Sequence, residues 1–236
     1  MIFYSIADEV FFHFPEYVRG VVLAHDVKNA ATPPALIEML RTEEASIRDR
    51  LKLEELTAHP RIVSWREAFR RVGIKPNEFR SSIEAMTRRV LRQQELPSIN
   101  ALVDIGNILS LRHLLPVGAH AIDVISQDIA LRIATGEEEF VPFGSDQAEH
   151  PAPGEIIFTE GNTVLTRRWS WRQSNHTLTL PATKAIELNV DGLPPISKSE
   201  VEEVCREAME LMRRFCGGQM RYEILTRQNP RMALAR

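Results

Sequence analysis

Five polar residues stand where the surrounding sequence is apolar: Asn107, His120, Asp123, Thr183 and Glu187. Asn107 and Asp104 fall within A-L-V-D-I-G-N-I-L-S-L, His120 follows a Pro-Gly break, and Glu187 sits inside A-I-E-L-N-V. A carboxylate in such a strand costs free energy unless it is paired or reads a ligand. A polar group on a buried helix needs a partner for the same reason. Each residue also has a plain reading. His120 fits a satisfied core histidine, and Glu187 fits the wet face of a half-buried strand.

The patterns for other chemistries are missing. The sequence has no Gly-rich phosphate loop leading into a helix, no G-x-S-x-G elbow, no H-E-x-x-H and no paired cysteine ligands. Cys205 and Cys216 share one helical pattern and give neither a disulfide framework nor a metal spacing. No metal and no cofactor is expected. The N-terminus lacks the signature of a signal peptide, and no apolar run is long enough for a membrane span, so the expected location is the cytoplasm. Asn175-His176-Thr177 matches a glycosylation acceptor and has no meaning without secretion.

A net charge of -3 argues against bulk coating of nucleic acid. The charge is unevenly spread, however. Arg61–Gln94 holds nine Lys/Arg against three Glu, while Gly136–Glu160 holds seven acids and no base. Within the basic part, Arg80, Arg88 and Arg92 fall mostly off the stripe of Ile83, Met86, Val90 and Leu91. They could line a polyanion path or simply face solvent.

The elements that must position these residues follow from periodicity. Ile2–Ile6 and Tyr17–Asp26 read as strands of one sheet, joined by a turn around Pro15. A helix is expected from Thr32-Pro33-Pro34, with Thr32 as its cap, to about Thr57, and others over Ile62–Val72 and Glu78–Gln94. Ser98 caps a largely buried helix that carries Asp104 and Asn107. Ala121–Ile125 and Ile129–Ala134 read as strands, and 135–154 as an exposed acidic loop. Further strands are expected over Glu155–Thr159, Thr163–Trp169, Thr177–Leu180 and Ala185–Val190. Ser197 with Glu200 forms a capping box for a helix to about Cys216. Met220–Leu225 reads as an edge strand and the tail after it as loose. The fold class is α+β, with helices packed on a mostly antiparallel sheet, and residues 1–236 are read as a single domain.

V-D-I-G-N-I-L at 103–109, followed by P-V-G-A-H-A-I-D at 116–123, resembles segments of the tRNA-binding and editing module of the bacterial phenylalanyl-tRNA synthetase beta subunit. L-R-I-A-T-G-E-E-E at 131–139 and T-K-A-I-E-L at 183–188 are similar to two more of its segments, and the resemblance spans roughly 61–216. It implies that module's fold and a pocket where misattached tyrosine is hydrolysed from tRNA. Carried over by position, Asn107 and His120 would orient the ester or a water. Glu187 would read a polar group on the amino acid; Thr183, Asp104 and Trp169 are further candidates for the substrate site in this sequence. Such a site works through preorganised hydrogen bonds more than through a covalent nucleophile.

Two departures stand out. Two extra residues separate Asn107 from His120, and R-R-W-S-W-R-Q-S-N-H at 167–176 replaces a Gly-rich segment. With no adenylate-binding segments, the chain is not expected to charge tRNA. The expectation is a free-standing hydrolase of misacylated tRNA that binds tRNA modestly. The alternatives are a non-catalytic module for RNA, an amino acid or a protein partner, and an enzyme acting on a small amino-acid derivative.

Overall fold

Two β-sheets stacked face to face organise the chain in the computed structural model, which describes residues 1–234. In chain order the elements are β1 (Phe3–Ile6), α1 (Asp8–His13), β2 (Val18–His25), α2 (Pro34–Arg50), α3 (Pro60–Arg71), α4 (Ser82–Leu91) and α5 (Ala101–His113). They continue with β3 (Val117–Ala121), β4 (Ile129–Ile133), β5 (Ile156–Glu160), β6 (Thr163–Arg167), β7 (Arg172–Gln173), β8 (Ala185–Gly192), α6 (Lys198–Phe215), β9 (Gln219–Leu225) and β10 (Arg231–Ala233). One sheet has the order β10-β1-β4-β5-β6-β7 and the other β3-β8-β2-β9. Apart from the parallel β1–β4 pair, every pairing of named strands is antiparallel. The fold is α+β, with six helices packed on mostly antiparallel sheets.

The four-stranded sheet is covered on both sides. Successive residues of a strand point to opposite faces. The Gly20 face of β2 meets α6 so closely that an added Cβ would lie 2.3 Å from Cys205 Sγ. The Arg19 face looks into the other sheet, where the guanidinium of Arg19 lies 4.9 Å from the Phe158 ring centre. The gap between the sheets is therefore a core layer, and Arg19 of β2 and Glu187, Asn189 and Asp191 of β8 are buried in it.

Several elements differ from the sequence reading. α1 replaces the simple turn before Pro15, and it sends β1 and β2 into different sheets. α2 ends at Arg50, and its N-cap position is Pro33 without a side-chain cap. The Thr32 hydroxyl instead donates to Asp104, 72 residues away. α4 is shorter than 78–94. α5 is capped by Asn100, whose side chain accepts from the Val103 N–H, and not by Ser98. The strand after α5 begins at Val117, within the Pro-Gly segment read as a break. No strand covers 177–180, and β10, in the tail expected to be loose, pairs with β1. The capping box of α6 is formed as expected.

Candidate functional site

α5, β3, the 167–173 segment and β8 enclose a cavity of about 490 Å³. One wall comes from α5, which presents Leu102, Val103, Gly106 and Asn107 at helical spacing. A second comes from β3 with Gly118 and His120, and α4 closes a side with Ser82 and Met86. Trp169 and Trp171 line a further wall and leave the volume open.

His120 is 4% exposed. Its Nδ1 lies 2.6 Å from Thr177 Oγ1 and 3.2 Å from Gln173 Nε2, which can only donate. That assigns Nδ1 as the acceptor and leaves Nε2–H to donate to Thr166 Oγ1 at 3.1 Å. The Thr166 hydroxyl, on the cavity wall, is then free to donate inward. Burial, reinforced by the nearby Arg19 charge, pushes the imidazole pKa down to about 3, so the ring is neutral at physiological pH. A general base works best with a pKa near the operating pH. His120 is therefore suited to orienting a hydroxyl or a ligand.

Behind the histidine lies a polar layer on β8. Glu187, Asn189 and Asp191 occupy alternate positions and share one face. Asp191 accepts from the Tyr17 hydroxyl and, at 3.0 Å, from Asn189 Nδ2, and it pairs with Arg19 Nε at 3.2 Å. Tyr17 in turn accepts from the Trp169 indole N–H at 3.2 Å. Arg19, Asn189 and Asp191 all reach the cavity. Glu187 is absent from its lining. It is fully buried 4.0 Å from His120 Nε2, and neither of its oxygens has a hydrogen-bond partner. Burial drives its pKa up to about 8, so this carboxyl is protonated at neutral pH.

The candidate residues thus divide. Asn107, His120 and Trp169 converge on the cavity. Glu187 supports it from the layer behind. Asp104 is consumed elsewhere, accepting from Ser98 Oγ at 2.5 Å, Thr32 Oγ1 at 2.7 Å and the Ile99 N–H at 3.1 Å, which ties down the entry to α5. Thr183 Oγ1 accepts from the Leu180 N–H, and Asp123 accepts from the Lys184 and Ala185 N–H groups. Neither faces the cavity. Arg80 and Arg88 flank the buried carboxylate of Glu84 at 3.8 and 3.4 Å, which Arg66 already grips at 2.8 Å; Arg92 is exposed. Three guanidiniums on one carboxylate leave that surface positive.

Sequence reading missed Arg19, Thr166, Gln173, Asn189 and Asp191. The signal lay in the alternation E-L-N-V-D, which ordinarily marks one wet face. The 167–176 segment also keeps the backbone that its residue types disfavour. Arg168 and Trp169 have φ of 46° and 63°, the left-handed region that glycine adopts without cost.

A family model described as the B3/4 domain matches residues 64–217. No curated protein matches the chain. Among solved structures, an N-terminal fragment of the phenylalanyl-tRNA synthetase beta-subunit from Pyrococcus horikoshii is similar, with a TM-score of 0.45 and 12% sequence identity. The overlap covers 92% of this chain and 50% of that one, so the chain spans half the length of the fragment. A likeness of that degree carries no residue correspondence. Among the described residues, no helix is long and apolar enough to cross a membrane.

Proposed function

The chain belongs to the B3/4 domain family, whose model spans 64–217, and from that premise we propose that it receives the aminoacyl end of a tRNA in the cavity and hydrolyses misattached amino acids in trans. The observation that carries this reading is the cavity of about 490 Å³ on which Asn107 and a buried, neutral His120 converge. Its apolar walls accept a side chain and its polar end supplies fixed hydrogen-bond donors. The ester carbonyl would take hydrogen bonds from the Thr166 hydroxyl, which His120 orients, and from the Asn107 amide, while a water attacks the carbonyl carbon, the acyl bond to the tRNA ribose oxygen breaks, and the water's proton passes to that leaving oxygen. Preorganised donors of this kind stabilise the developing oxyanion without reorganising during the reaction. Glu187 lies behind the histidine, 4.0 Å from its Nε2 and without a hydrogen bond, and backs the ring by packing. The tRNA body would lie across α4 and its two flanks, where Arg80, Arg88 and Arg92 supply positive charge.

Deacylation of a panel of mischarged tRNAs tests this. Wild-type protein should hydrolyse at least one of them. Asn107→Ala, which removes a donor to the oxyanion, should lower kcat roughly 100-fold, the range for loss of such a donor, and His120→Ala, which frees the Thr166 hydroxyl from its orientation, roughly 10-fold. A folded wild-type protein that hydrolyses none sinks the reading.

A second reading draws on one observation: both His120 nitrogens are already engaged by protein groups. That also suits a non-catalytic pocket that holds an amino acid, RNA or a protein partner. Binding of an aminoacyl-tRNA without turnover would select it.

A further inference from the structure

Two of the polar residues that line the cavity keep an atom unpaired. Arg19 and Asn189 are buried, at 1% and 5% exposure, yet Arg19 Nη1 and Asn189 Oδ1 have no hydrogen-bond partner. Native structures pair almost all such groups, so an orphaned donor and an orphaned acceptor on one cavity need an explanation. Asp191 fixes which atoms these are. Its carboxylate can only accept, so Asn189 must turn Nδ2 toward it, at 3.0 Å, and Oδ1 away. Arg19 meets the same carboxylate through Nε, at 3.2 Å, which leaves Nη1 over. Opposite Asn189 on β3 stands Gly118, which also lines the cavity, and an added Cβ there would lie 3.0 Å from Oδ1. The bare glycine keeps this side of the oxygen free of side-chain atoms.

The donor and the acceptor belong to residues held apart. Arg19 and Tyr17 engage Asp191 Oδ1, whereas Asn189 engages Oδ2, so the carboxylate lies between the two residues. A ligand group that satisfies both must accept at one atom and donate from another. A hydroxyl has a single oxygen for the two tasks, whereas a primary carboxamide has a carbonyl and an NH2 side by side. Charge selects in the same direction. Arg19 and Asp191 cancel, and burial holds His120 and Glu187 neutral, so a carboxylate or an ammonium on the ligand would enter this layer uncompensated. A wholly apolar group would leave both protein atoms unpaired.

We infer that Arg19 and Asn189 form a subsite for a terminal carboxamide, Arg19 donating to its carbonyl and Asn189 accepting from its NH2, so that the cavity selects side chains of the asparagine or glutamine type. This rests on the reading that the cavity receives the aminoacyl end of a tRNA. Strand register supplies the spacing. Across β3 and β8, His120 faces Glu187 and Gly118 faces Asn189. The subsite therefore lies two residues, roughly 7 Å, along the strands from the histidine. An ester carbonyl at Thr166 and a carboxamide at Asn189 are then joined by a short methylene stem. Arg19 lies on β2, outside the matched segment 64–217, so part of this subsite comes from beyond it.

The test uses the full chain and stable 3′-aminoacylamino adenosines, in which an amide replaces the ester. The probes carry glutaminyl, asparaginyl, methionyl, glutamyl and tyrosyl groups. Methionyl matches glutaminyl in length without its hydrogen bonds, glutamyl adds a charge, and tyrosyl offers a hydroxyl. Wild-type protein should bind one of the two carboxamide probes on the order of 100-fold more tightly than the other three, because those leave buried groups unpaired or uncompensated. The better carboxamide fixes the stem length. Asn189→Leu should lose that preference while binding the methionyl probe at least as tightly as wild type does, which shows the cavity intact. Wild-type protein that prefers neither carboxamide to methionyl, that binds glutamyl or tyrosyl most tightly, or that binds no probe overturns the inference. So does a folded Asn189→Leu that keeps the preference, and the wild-type series decides even if that variant fails to fold. Deacylation of mischarged tRNAs scores the hydrolase reading separately. Hydrolysis without carboxamide preference removes the subsite alone, and carboxamide-selective binding without hydrolysis removes the hydrolase alone.

Discussion

Asp191 and Glu187 lie four residues apart on the same face of β8, both buried to 1% or less, yet one has three polar partners and the other has no hydrogen bond, only His120 Nε2 at 4.0 Å. The two ends of the layer between the sheets are thus built on opposite principles. At the Asp191 end, Arg19, Tyr17 and Asn189 compensate a negative charge, and the arginine is itself held charged by that carboxylate. At the Glu187 end burial outweighs the pull of the Arg19 charge, so the carboxyl stays protonated, and burial keeps the neighbouring imidazole neutral. The Asp191 carboxylate is held from three sides, which fixes its geometry, although Arg19 Nε and Nη1 and Asn189 Oδ1 have no hydrogen bond of their own. An unsatisfied carboxyl weakens the fold where it sits, and such a defect beside a cavity is where function is expected to have overridden stability.

Removing the charge at the Asp191 end should have the largest effect. Asp191→Ala leaves Arg19 buried without its counter-ion, and breaking such a pair costs about 3–5 kcal/mol. Chemical denaturation should show that loss. A change below about 1 kcal/mol would mean that Arg19 finds solvent, and the contrast between the ends would fail.

The unsatisfied end should reveal itself through pH. In the folded state Glu187 holds its proton up to about pH 8, whereas an unfolded glutamate releases it near pH 4.3. Between those values the native state binds more protons, so stability falls as pH rises. His120, with its pKa lowered to about 3, has the opposite slope between there and about 6.5. The two slopes offset each other from about pH 4.3 to 6.5 and leave Glu187 alone above that. Wild type should therefore lose about 2 kcal/mol more than Glu187→Gln between pH 6.5 and 8, at roughly 1.4 kcal/mol per unit. Parallel profiles for the two proteins would show that Glu187 ionises normally.

This contrast was only half legible in the sequence. Glu187 and His120 drew attention because they interrupt apolar runs, and α5 and the α6 capping box announced themselves through local pattern. Arg19 and Asp191 did not, because alternation within a strand reads as a buried face and a wet face. Here α6 covers one face and the second sheet the other, a fact of long-range packing. The same limit hid the sheet assignments: β1 and β2 are near in sequence, but the six-residue α1 turns them into separate sheets. β7 and β10, of two and three residues, carry too little periodicity to be read at all. Asp104 misled for the converse reason. It is a buried carboxylate, but its partners Thr32 and Ser98 lie in loops whose approach to α5 no local pattern records.

The two tyrosines give the finest test of the contrast, because each puts one phenol into the same layer. Tyr17 donates to Asp191 and accepts from Trp169, whereas the Tyr4 hydroxyl is buried without a partner. Both phenols are held protonated by burial, so charge does not separate them. Their hydrogen bonds do. Tyr17→Phe removes a donor from a buried carboxylate and should cost about 1.5–3 kcal/mol, the range for bonds to a charged acceptor. Tyr4→Phe removes a hydroxyl that is already desolvated and unpaired, so stability should be unchanged or rise by up to about 1 kcal/mol. Equal losses in the two variants would mean that the Tyr4 hydroxyl has a partner in solution, most simply a water bridging it to its surroundings. The Glu187 end would then be hydrated, and its carboxyl should titrate closer to the ordinary value.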